Sequence, residues 1–97
     1  MYTIDFLPEV YDDIAIAYSW YEEQKIGLGE KFISELENAY TTIGQSPKVY
    51  QILYKNTRRK LIKHFPYGVF FRLIEGQIII VAIIHTKRNP LYFQERL

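Results

Sequence analysis

No cysteine occurs in the 97 residues, which rules out disulfides and thiolate metal sites. Histidine is almost as scarce. His64 and His85 stand twenty-one positions apart and neither sits in an HExxH-like spacing, so neither a metal nor a cofactor is expected. The three serines, Ser19, Ser34 and Ser46, include no GxSxG elbow, which argues against a serine hydrolase. Gly27-Leu28-Gly29 lacks the lysine and spacing of a phosphate-binding loop. The carboxylate pairs Asp12-Asp13 and Glu22-Glu23 fall on helix surfaces and do not suggest glycosidase chemistry. The longest apolar run, Ile78 to Ile84, is seven residues, against the roughly 20 that span a bilayer. No basic segment followed by an apolar run opens the chain; Asp5 and Glu9 would interrupt one. These absences lead us to expect a soluble cytoplasmic domain, residues 1–97, with no membrane partner.

What is present is an ordinary globular balance, 48 % hydrophobic and 24 % charged, which excludes disorder. Aromatics reach 16 %, nine of them tyrosine, a residue suited to half-buried positions and to surfaces that grip another chain. The net charge of +1 conceals a division. Residues 1–45 carry nine acidic side chains against Lys25 and Lys31, a net of −7; residues 46–97 carry ten basic ones against Glu75 and Glu95, a net of +8. A chain so divided is expected to present a basic face, which attracts nucleic acid or an acidic protein, unless the two halves offset each other within the fold.

The alternation in Met1–Phe6 predicts a short strand. Pro8 and Glu9 suit the first turn of a helix, whose inner face is read from Val10, Ile14, Tyr18 and Tyr21 and whose stop is Gly27. A second helix follows at once, with Phe32, Leu36, Ala39 and Ile43 as its buried stripe and Gly44 with Ser46-Pro47 as its end. So short a connection makes the two antiparallel neighbours. Beyond Pro47, "VYQILY" and "RRKLIKHF" have strand character, broken at Lys55-Asn56. "YGVFFRLI" places Tyr67, Val69, Phe71 and Leu73 on one face, and Glu75-Gly76 turns it into "QIIIVAIIH", a strand apolar on both faces and therefore central. The expected fold is α+β: an N-terminal strand, an antiparallel helical hairpin, then a three- to four-stranded antiparallel sheet.

Chemistry is most concentrated on that basic sheet. Arg58, Arg59, Lys60 and Lys63 are read on one strand, Arg72 on the next, and Lys87 and Arg88 at the end of the last. Tyr54, His64, Tyr67, Tyr92 and Phe93 stand among them. Cations that hold phosphates, mixed with rings that stack on bases, describe an RNA-binding surface. RNA is also cut without metal, by attack of its own 2′-OH, given a base, an acid and a cation. A lysine-rich strand is equally a device that protects an exposed sheet edge.

The segments "WYEEQKIGLGEKF" (Trp20 to Phe32), "FPYGVFF" (Phe65 to Phe71) and "IIHTKRNP" (Ile83 to Pro90), in this order and spacing, resemble the RelE/ParE superfamily of bacterial toxins. The resemblance covers essentially the whole chain. It implies the same α+β fold and a cognate antitoxin as partner. It further implies one of two activities: ribosome-dependent, metal-free cleavage of mRNA, as in RelE-like members, or poisoning of DNA gyrase without RNase residues, as in ParE-like members. An inactive, antitoxin-binding relative is the third reading. RelE-like cleavers commonly carry a catalytic arginine after the hairpin aromatic; here Gly68 follows Tyr67. Arg88 matches an arginine that contacts the scissile phosphate, and Tyr92 or Phe93 falls where a C-terminal aromatic stands. The candidate catalytic residues are therefore Arg88 and Tyr92, which the resemblance implies, and His85, read from its place at the end of the central strand; the basic sheet offers Arg58, Arg59, Lys60, Lys63 and Lys87 as nucleic-acid contacts. For His85 a structural role, ending its strand with a hydrogen bond, stands beside the catalytic one.

Overall fold

The computed structural model describes residues 2–97, with the backbone alone described for residues 90–92. β1 (Thr3–Phe6) leads into α1 (Pro8–Gln24), which begins at the proline where the missing N–H costs nothing. α1 ends earlier than Gly27: Lys25 N–H closes on the Tyr21 carbonyl. Gly27, with φ of +91°, is instead the N-terminal cap of α2 (Leu28–Gln45). A glycine cap has no side chain to satisfy the first N–H groups of a helix. Glu22 of α1 supplies the acceptor, taking the N–H of Gly27 at 3.0 Å and of Gly29 at 2.9 Å. The same approach explains Gly29, where a Cβ would lie 2.8 Å from the Tyr18 ring. Tyr18 then donates its hydroxyl to Glu30, which holds that phenol's pKa above the ordinary value.

The C-terminal half forms β2 (Ile52–Tyr54), β3 (Thr57–Leu61), β4 (Tyr67–Ile74) and β5 (Gln77–His85). Two-residue turns with positive φ, Lys55-Asn56 and Glu75-Gly76, join β2 to β3 and β4 to β5. The expected antiparallel sheet needs one correction. The sheet has five strands, ordered β1-β5-β4-β3-β2, and is mixed, because β1 runs parallel to β5. The physical reason is the long connection: a strand that returns to the sheet only after a helical crossover can pair parallel.

Phe32, Leu36, Ala39 and Ile43 of α2 meet Val69 and Phe71 of β4 and Ile78, Ile80 and Ile83 of β5 in the main core. Tyr21, Phe32, Phe65 and Tyr67 pack edge to face at one end of it, centroids 4.8–6.1 Å apart. Burial, and then the neighbouring Tyr67, raise the Tyr21 pKa. On the opposite face of the sheet a smaller cluster, Phe70, Val81, Ala82 and Ile84, is covered by Phe93 from a C-terminal 3-10 segment, Pro90–Arg96.

β5 serves both clusters because it is apolar on both faces, and its register slips once along the way. Phe70 pairs with Ala82 but Phe71 with Ile80, which leaves Val81 as an extra residue, a β-bulge. β1 also ends here, with Leu7 N–H on the Ile80 carbonyl. Side chains take over the strand's outer edge. Asp13 accepts the Ile83 N–H at 3.0 Å, and Arg96 donates to the Val81 carbonyl at 3.0 Å. The two are paired with each other at 2.7 and 2.9 Å, with side chains only 8 % and 13 % exposed.

Candidate functional site

Strand alternation divides the residues that the sequence places on one basic strand. Arg59 is opposite Phe70 and faces away from the helices; Arg58 and Lys60, opposite Phe71 and Val69, face toward them. Arg58 donates to the carbonyls of Lys48 (3.1 Å) and Tyr50 (2.7 Å), which ties the 3-10 turn Pro47–Val49 to β3. The Lys60 ammonium lies 5.5 Å from the centre of the Tyr50 ring. Lys63 is in the loop after β3 and lines a cleft of about 160 Å³ with Lys60, Glu35 and Asn38. His64 is nearby, its Nδ1 3.5 Å from Glu35. Lys60 and Lys63 thus oppose the acidic helix α2, whereas Arg59 is on the other side of the sheet.

There Arg59 meets Arg88, Gly68 and Thr86 around a narrow cleft of about 30 Å³. The stem of Arg59 crosses Gly68: a Cβ at 68 would lie 3.2 Å from its Cγ and Cδ. The volume that a side chain at 68 would occupy is filled from the neighbouring strand, so a guanidinium reaches this cleft from β3.

His85 borders the same cleft, but its ring is on the helix side of the sheet, edge-on to Tyr67 at 5.2 Å between centroids. Its Nδ1 accepts the Lys87 N–H at 3.1 Å, so the neutral ring carries its proton on Nε2. The expected strand-ending hydrogen bond is therefore present. Lys87 and Arg88 follow in an exposed turn, with Arg88 N–H on the His85 carbonyl. The side chain of Tyr92 lies outside the described residues. Arg59, His85 and Arg88 are brought together around one cleft; Arg58, Lys60 and Lys63 are not. Among the described residues, no group of three or more His, Cys, Asp or Glu is placed to hold a metal, and no helix is long and apolar enough to cross a membrane.

Three features escape a residue-type search. Asp13 and Arg96 are eighty-three positions apart and no local pattern links them. Glu22 reads as a surface charge until the α1–α2 turn is built. The third had a signal: Ile16 and Trp20 are large apolar residues outside the inner stripe of α1, and both are exposed.

Solved structures of low identity share this architecture. The chromosomal ParDE toxin–antitoxin system from P. aeruginosa matches with a TM-score of 0.79 at 14 % identity, covering 90 % of this chain and 98 % of that one. The intact E. coli RelBE toxin–antitoxin complex matches at 0.67 and 12 %, covering 91 % and 100 %. The fold is thus the one common to ParE and RelE toxins. In sequence, Toxin ParE2 of Mycobacterium tuberculosis is 29 % identical over 82 residues, 84 % of this chain and 78 % of that protein. The family described as the ParE toxin of the type II toxin–antitoxin system parDE matches residues 4–90, and the chain belongs to that family.

Proposed function

We propose that this chain, as the toxin of a type II pair, arrests growth in the bacterial cytoplasm by binding a protein target, DNA gyrase, and cuts no RNA itself. The observation that carries this reading is the cleft at Arg59 and Arg88. Cleavage by the 2′-OH needs a proton acceptor within hydrogen-bond reach, and arginine cannot serve because it does not lose its proton. Among the described residues lining the cleft, His85 alone carries a ring nitrogen with a lone pair that could accept a proton. Its Nδ1 is engaged by Lys87 and its ring is turned to Tyr67 on the far side. Among the described residues, the cleft has cations to hold an anion and no base turned toward one. The match to the ParE family and the likeness to ParE2 support the same reading. The ParDE and RelBE complexes support an antitoxin as the partner that keeps the toxin silent.

A second reading, a ribosome-dependent endoribonuclease, is favoured by the Arg59 stem over Gly68, which returns a guanidinium to the region left empty on β4. Induced expression with pulse-labelling separates the two. DNA synthesis is expected to stop first, and purified protein to inhibit gyrase supercoiling. Early arrest of protein synthesis with new mRNA ends would put the ribonuclease in its place. His85→Gln is expected to keep growth arrest, and its loss in a folded variant would make the ring catalytic.

A further inference from the structure

The charge division of the sequence resolves differently on the two faces of the sheet. Strands β2–β5 contain no acidic residue. On the helix side their cations meet acids: Lys60 and Lys63 share a cleft with Glu35. The far face is less balanced among the described residues. Arg72 is two positions on from Phe70 and opposite Thr57, so it stands on that face with Arg59. The Nε of Arg72 is buried and has no hydrogen-bond partner among the described residues. Arg88 follows β5 just past the level where Tyr67 pairs with His85. Asp13 is taken up by Arg96, and Glu75 and Glu95 are exposed in a turn and in the C-terminal segment. Arg72, Arg59 and Arg88 thus form a row along β4. From Tyr67 to Arg72 is five residues, roughly 17 Å of strand.

We infer that this row holds the sugar–phosphate backbone of duplex DNA, the segment on which gyrase acts, so that the toxin touches enzyme and DNA together. The inference rests on the reading of gyrase as the target. Guanidinium forks match phosphate oxygens. One strand of a duplex presents a phosphate about every 3.4 Å along the axis, about five over the length of the row. The face selects a duplex over a single strand because its rings are covered. Single strands are held by stacking their bases on exposed aromatic side chains. Here Phe70 and Phe93 are 3 % and 1 % exposed, and the Lys55 ammonium lies 5.5 Å from the centre of the Tyr54 ring. The cleft of about 30 Å³ between Arg59 and Arg88 is too small for a base. What the face offers is backbone contact without base readout, which positions a duplex and is indifferent to its sequence.

A short labelled duplex of mixed sequence is titrated with the full chain over a range of salt, beside a single-stranded RNA of equal length and with polyglutamate as competitor. Expected is binding to the duplex whose log K falls against log salt with a slope of about −3, as three phosphate contacts require. Arg59→Gln and Arg72→Gln are each expected to weaken it several-fold and to take about 1 from that slope. The double variant is expected to need about tenfold more protein to inhibit gyrase supercoiling. Arg72 is partly buried, so circular dichroism checks that the variants fold, and the wild-type salt slope stands without them. Absence of duplex binding at low salt overturns the inference. RNA bound as tightly as the duplex, or polyglutamate displacing it at equal charge, also overturns it and assigns the face to a single strand or to an acidic protein. Supercoiling inhibition left unchanged in a double variant that has lost the duplex overturns it too, and gyrase then stands as a target bound without help from DNA. Wild-type protein that leaves supercoiling untouched removes the gyrase reading, and this inference with it.

Discussion

The two faces of the β4–β5 pair are built to different depths. Toward the helices, Phe32, Leu36, Val69, Phe71, Ile78 and Ile80 are at most 1 % exposed and joined by a network of rings. On the other face a handful of side chains lie under one 3-10 segment, held by Phe93 and by the Asp13–Arg96 pair. The difference separates two tasks that small domains often force onto the same residues. The deep face carries the fold, and the shallow face carries the Arg59–Arg88 cleft, which can vary with little cost to the core.

Phe71→Ala tests the deep side and should have the largest effect, a loss of about 4 kcal/mol from the void and the lost contacts, read by chemical denaturation. Phe93→Ala should cost less and act locally, raising amide exchange in Val81–Ile84 with the helices still protected. Equal losses from the two would mean that the faces do not differ as described. Asp13→Ala removes one partner of a nearly buried ion pair, an expected cost of about 3 kcal/mol. Its signature is faster exchange of the Ile83 amide, and an unchanged amide would show that the pair does not hold the strand edge.

The smallest effect concerns Tyr40, whose hydroxyl is buried against the helix-side core and has no hydrogen-bond partner among the described residues. Burial, then the charge of Glu37, drives its pKa upward. The folded phenol keeps its proton at a pH where the unfolded one has lost it. Its contribution is therefore complete below the unfolded value of 10.0 and is lost as pH rises beyond it. Tyr40→Phe should change stability at pH 7 by about 1 kcal/mol or less, in either direction, and should flatten the decline above pH 10. A decline as steep in the variant would place its origin in other tyrosines.

Much of the deep face is legible in the sequence, because burial there follows the helical and strand periods directly. The stripe Phe32, Leu36, Ala39, Ile43 and the face Tyr67, Val69, Phe71, Leu73 both stand where periodicity puts them. The Glu75-Gly76 hairpin and the burial of β5 on both faces follow from local residue types as well, although β5 lies second in the sheet and β4 is its middle strand. The parallel pairing of β1 is not legible, since four alternating residues indicate a strand but not its neighbour. Nor is the bulge at Val81, because a run apolar on both faces hides a one-residue slip. The basic strand is the instructive case. Arg58, Arg59 and Lys60 read as a cluster by composition, yet the two-residue period of any strand sends them to opposite faces. The information was present in the spacing, and composition alone obscured it.

The crossing of Arg59 over Gly68 has a consequence for the history of such a chain. An alanine at 68 asks the arginine stem to yield by a few tenths of an ångström, but a long side chain there must share volume already filled. Positions 59 and 68 are therefore expected to change together. A guanidinium can enter the cleft from either strand, and a lineage that moves it from one to the other must pass through a chain crowded at both or empty at both. Substitutions at the two sites should be acquired together, each permissive only in the presence of the other.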